Sequence, residues 1–97
     1  MSDMQSLADQ VVDEQTFLNF VNALAADWED ERQKEGVAPS SPYGPGANGW
    51  ENGTIGAFLE RAASWAEATT KGTSFYAPPG NTWRRCAHIL LAGKFYE

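Results

Sequence analysis

Trp50-Glu51-Asn52-Gly53-Thr54-Ile55-Gly56-Ala57-Phe58-Leu59-Glu60, running on to Trp65, turns from loop into helix. Asn52 or Thr54 can cap that helix by accepting a hydrogen bond from a first-turn N–H. Behind the cap, Ile55, Phe58, Leu59, Ala62, Trp65 and Ala66 recur three and four residues apart, which draws one apolar stripe. The spacing predicts a helix over 53–69, ended by Thr69-Thr70-Lys71-Gly72. Gly56 falls in its first turn, where glycine costs less than in mid-helix. Trp65 belongs to the stripe and is expected in the core. Trp50 has two readings: a lid folded back over the first turn, or an aromatic held at the surface.

Upstream, Asp13 reads as an N-cap, with Val12 and Phe17 placed for a hydrophobic staple and Glu14 suiting the helix dipole. Phe17, Phe20, Val21, Leu24, Ala25 and Trp28 then predict a helix from about 14 to 34, with Gly36 as its C′ residue. Glu29 to Lys34 is almost wholly charged and reads as a solvated end. Residues 1–12, with Leu7, Val11 and Val12, form an arm or a short helix. The 36–50 loop holds Pro39, Pro42, Pro45, several glycines and Tyr43, which excludes regular structure. A loop of that length is either functional or a mobile connector.

Downstream, Thr73 to Ala77 reads as extended and Pro78-Pro79-Gly80 as a break. Asn81 or Thr82 caps a further helix, where Trp83, Ala87, Leu90, Leu91 and Lys94 share a face. The expected fold is therefore all-α. It is one domain over 1–97, made of three main helices and an N-terminal arm, with the 53–69 helix packed between the other two.

At 97 residues the core is small, and four Trp, three Tyr and five Phe must supply its bulk. Net charge is −6. Most acids fall in residues 1–35, against only Arg32 and Lys34 there, and the remainder is close to neutral. That balance disfavours nucleic-acid binding, which needs a basic surface, and suits docking to a basic partner. No apolar run follows a basic segment at the start, and none approaches the roughly 18 residues of a membrane span. A cytoplasmic location is the expectation. Cys86 is the single cysteine, so neither an intrachain disulfide nor a multi-cysteine metal site is available. No cofactor or metal is expected.

His88 is the single histidine, and Cys86 lies two residues away, where side chains on a helix diverge. No zinc-protease, phosphate-loop or nucleophile-elbow pattern occurs. Asp27, Glu29, Asp30 and Glu31 lack the alternation and central glycine of a calcium loop. We therefore expect no enzyme. Arg84 and Arg85 stand out, because a helix N-terminus favours anions and disfavours cations. Something negative is expected beside them, either the acidic 14–34 helix through ion pairs or an anionic ligand.

Phe17-x-x-Phe20-Val21-x-x-Leu24, Trp50-Glu51-Asn52-x-Thr54-Ile55-x-x-Phe58-Leu59-Glu60 with Trp65, Trp83-x-x-x-Ala87-x-Ile89-Leu90 and the terminal Tyr96-Glu97 resemble a family of short, uncharacterised bacterial proteins. The resemblance runs from about residue 13 to 97. It implies a small intracellular bacterial protein and brings no catalytic or cofactor residues. The 37–49 stretch is longer and richer in glycine than that family leads one to expect. In size, acidity and aromatic helical core the chain also looks like immunity proteins that neutralise bacterial toxins.

The function expected is a non-catalytic protein-binding module, immunity-like or regulatory. Its binding set would be Tyr43 and Trp50 ringed by Asp27, Asp30 and Glu31, facing a basic partner. Homodimerisation through an apolar patch is compatible with this. The alternative is a small-molecule or anion-binding domain using Arg84 and Arg85 beside Trp50. An exposed Trp50–Tyr43 patch would favour the first, and a pocket holding Trp50 with both arginines the second.

Overall fold

Four helices make the fold of this computed structural model, which describes residues 3–96: α1 Met4–Asp9, α2 Glu14–Val37, α3 Ile55–Thr69 and α4 Thr82–Phe95. No strand occurs among the described residues, so the chain is all-α, with a short N-terminal helix and a long loop between α2 and α3. The last residue of the Tyr-Glu motif, Glu97, lies outside the described residues, as do the first two residues of the arm.

Each helix starts on a side-chain cap. Asp13 Oδ1 accepts from Thr16 N–H at 2.9 Å while Thr16 Oγ1 accepts from Asp13 N–H at 3.0 Å, which is a reciprocal capping box. Of the paired alternatives, Thr54 caps α3 and Asn81 caps α4. Asn52 is used differently: its amide donates to the carbonyls of Gly93 and Tyr96, tying the loop to the end of α4. Helix α2 runs through Gly36 and ends later than its glycine suggested. Ala38, the residue before Pro39, leaves the helical region at φ −140° and ψ 86°, as a following proline requires.

The helix packed among the others is α4, not α3 as the sequence suggested. Helix α4 lies against α1, α2 and α3, whereas α2 and α3 have no close backbone approach. Small side chains allow it. Ala87, Ala92 and Gly93 are buried on α4, and a Cβ at Gly93 would stand 2.9 Å from the Phe58 carbonyl oxygen, so that close approach of α3 needs glycine there. The core beneath α1 and α2 is Met4, Ala8, Val11, Phe20, Leu24, Trp50, Ala87 and Leu91. Trp65 is only partly buried and lies outside that cluster, against Tyr76 and Arg85.

Candidate functional site

Two acids toward the end of α2, Asp27 and Glu31, point inward. Glu31 is 0 % exposed, and its Oε1 accepts from the backbone N–H of Asn48 at 2.8 Å and of Trp50 at 3.2 Å. Its other oxygen pairs with Arg32 at 2.6 Å. Gly46 lies against this carboxylate, where any Cβ would collide with it. Asp27 Oδ2 accepts from Trp50 Nε1–H at 2.9 Å and from Lys94 Nζ at 2.7 Å. Asn48 donates to the Asp27 carbonyl and to Asp30, and Lys34 bridges Asp30 and Asn48. The Lys34 ammonium and the Asn48 amide hold the Asp30 carboxyl below its ordinary value, and the Ser40 hydroxyl and N–H do the same for Glu35. Two helical turns of acid thus act as acceptors for a loop that has no secondary structure of its own.

This settles the position of Trp50. It is 9 % exposed, edge-on to Trp28 at 5.1 Å and tilted against Phe58 at 6.0 Å. Tyr43, by contrast, is 97 % exposed at the loop tip. Trp50 and Tyr43 therefore form no joint exposed patch. Asp27 and Glu31 are engaged beneath the surface, and Asp30 stays at it.

Arg84 and Arg85 do not stand beside Trp50, and neither pairs with an acid among the described residues. Arg84 Nε donates to the Val11 carbonyl at 3.0 Å, just past the end of α1. Arg85 donates to the Ala66 carbonyl at 2.8 Å and to Thr69 Oγ1 at 2.9 Å, in the last turn of α3, and stacks over Trp65. The negative partners are the C-terminal ends of two neighbouring helices, whose dipoles offset the cations at the start of α4. That answer was invisible in sequence, because it depends on which helix ends meet.

Beside Arg85, Tyr76 Oη lies 2.8 Å from His88 Nδ1, and His88 Nε2 lies 2.8 Å from Asp9. A guanidinium only donates, so Tyr76 Oη accepts from Arg85, and the Asp9 carboxylate accepts from His88 Nε2–H, which leaves the direction of the Tyr76–Nδ1 bond to the state of the imidazole. Among the described residues no buried side-chain nitrogen or oxygen lacks a partner, and no group of His, Cys, Asp and Glu could hold a metal.

The open surface lies elsewhere. Because α2 and α3 have no close backbone approach, a groove of about 490 Å³ remains between them, lined almost wholly by carbon. Val21, Leu24, Ala25 and Trp28 form one wall and Ile55, Phe58 and Leu59 the other, with Trp50 and Leu90 at the base. Ile55 is 81 % and Leu59 58 % exposed. Leu18, also exposed, continues the α2 wall one turn toward its N-terminus. At its edge, Asn52 Nδ2 donates to the α4 carbonyls and Thr54 Oγ1 accepts from Ala57 N–H. One signal in the sequence foreshadowed this groove. The α2 stripe is wider than one partner helix can cover, with Phe20 and Leu24 facing the core and Val21, Ala25 and Trp28 left over.

Geometry defines a small all-α domain whose longest loop is pinned by buried acids and whose two outer helices leave an apolar groove. Residues 13–97 match the family of unknown function DUF7660, and the chain belongs to that family. No curated protein and no solved structure matches it. No helix among the described residues is long and apolar enough to cross a membrane.

Proposed function

We propose that this chain is a non-catalytic protein-binding module that docks a basic amphipathic helix of a partner protein in the α2/α3 groove. The observation that carries this is the groove itself: apolar residues on two facing helices, much of them in water, over a base already packed. Apolar surface of this kind marks interaction sites, and a gap between two helices suits a third. Small-molecule sites need a few convergent polar groups for specificity, and this groove is lined almost wholly by carbon. The charge of the flanks chooses the partner. Glu14 and Glu29 lie one turn beyond Leu18 and Ala25 on α2, and Glu60 is exposed beside Leu59 on α3. Acids along both edges favour Lys and Arg flanking the partner's apolar stripe, with association that slows as salt rises. Asp30 lies with Asp27 and Lys34 in a separate cleft beside Leu91 and Lys94, so it does not border this groove.

Affinity capture from the native cell tests this with three baits: the wild type, Leu59→Glu, and the charge-matched control Gln33→Glu on the opposite side of α2. Wild type and control should recover the same protein, and Leu59→Glu should lose it while keeping its helical circular dichroism. Equal recovery by Leu59→Glu would place docking outside the groove.

A further inference from the structure

Residues 3–12 carry a second, independent inference. The family match begins at residue 13, so α1 lies outside it. Six residues are too few for a helix to persist by itself in water, so α1 exists because it is docked. It docks on one face: Met4, Ala8 and Val11, spaced i, i+4 and i+7, bury among Phe20, Leu24, Ala87 and Leu91. A single stripe of α4 then grips its end. Asn81 Nδ2 donates to the Val12 carbonyl at 2.9 Å, Arg84 Nε to the Val11 carbonyl at 3.0 Å, and His88 Nε2 to Asp9 Oδ1 at 2.8 Å. Two of the three clamps hold main-chain carbonyls, which any peptide presents. Only the third requires a side chain, a carboxylate.

From this we infer that the face formed by α2 and α4 is a receptor for a short amphipathic helix ending in an acid, and that α1 is its exchangeable occupant in cis. The chemistry of a competing segment follows from the occupant. It carries apolar side chains at i, i+4 and i+7, small at i+4 because Ala8 is fully enclosed, a carboxylate at i+5, and an extended exit past i+7. The receptor reads that segment by helix-end carbonyls and one charge, while apolar burial supplies most of the affinity.

Two measurements on the full chain decide it. The first uses Ala8→Asp/Val11→Asp, which expels α1, and a fluorescently labelled peptide of residues 3–12 as probe. The variant should keep the helical signal of α2 to α4 and bind the probe saturably, whereas the wild type should not. Adding Arg84→Met to the variant should weaken the probe by roughly tenfold. A variant that unfolds, or that folds and ignores the probe, overturns the inference, since α1 is then an integral part of the core. The second is amide exchange in the wild type. The N–H groups of Leu7, Gln10 and Val11, bonded within the arm, should open at least about tenfold more often than those of α4. Equal protection overturns it as well.

Discussion

Trp50 lies at the base of the α2/α3 groove and Trp65 outside it, beside Tyr76 and Arg85, and their surroundings are inverted. Around Trp50 the acceptors are carboxylates that reach in from α2, and the cation is Lys94, 5.6 Å from the ring. Around Trp65 the cation is Arg85, 5.1 Å from the ring, and the acceptors are the last-turn groups of α3 itself. Trp50 comes from an irregular loop and is nearly sealed, whereas Trp65 comes from a regular helix and stays partly open. Being on a helical stripe thus did not decide burial. What decided it was whether polar groups could follow the ring inside. Glu31 and Asp27 satisfy the Trp50 backbone and indole N–H groups, so the whole turn can leave water.

The largest expected effect breaks this comparison directly. Trp50→Ala should cost about 3–5 kcal/mol, as a large aromatic lost from a core does, and Trp65→Ala roughly half that. Urea denaturation of both variants measures the difference, and a larger loss at Trp65 would reverse the assignment of the two rings. The next effect isolates the acids. Glu31→Gln should lose about 1–3 kcal/mol because a buried charged acceptor of two N–H groups is replaced by a neutral one. Glu29→Gln, two residues away and in water, should stay within about 0.5 kcal/mol of wild type. Similar melting temperatures for the two would mean the loop does not depend on Glu31.

The smallest effect is acid sensitivity. Asp30 and Glu35, which hold the loop, and Asp13, which caps α2, all have carboxyls lowered by their hydrogen bonds. A lowered folded-state value means the stabilisation is present above the ordinary carboxylate value and is lost as pH falls through the lowered one. Melting temperature should therefore hold down to about pH 4 and decline below it. Glu35→Gln should flatten part of that decline. An unchanged acid limb in this variant would remove Glu35 from the account.

Much of the fold was legible because helices announce themselves locally. Asp13, Thr54 and Asn81 are caps followed by apolar periodicity, and both signals sit within a few residues. The identity of the inner helix was not legible. It rests on Gly93 meeting Phe58, a contact between residues far apart in sequence. The same holds for Arg84 and Arg85, where the strangeness of two cations at a helix start was visible but their carbonyl partners were not. Glu31 misled for a physical reason. A run of charges usually marks a solvated face, and only Gly46 and the N–H groups of Asn48 and Trp50 turn this one inward. The groove escaped notice because an apolar stripe reads as core until the partner helix proves absent.

The central claim is that Trp50 is an interior keystone and not a surface anchor, which is why the proposed docking falls to the α2/α3 groove. Hydrogen exchange of the four indole N–H groups, followed by nitrogen-15 NMR, tests it most directly. The Trp50 Nε1–H, bonded to Asp27 behind Trp28 and Phe58, should exchange slowest of the four and become fast in Asp27→Ala. Exchange of Trp50 as fast as that of the more exposed Trp83 would put Trp50 at the surface and contradict the account.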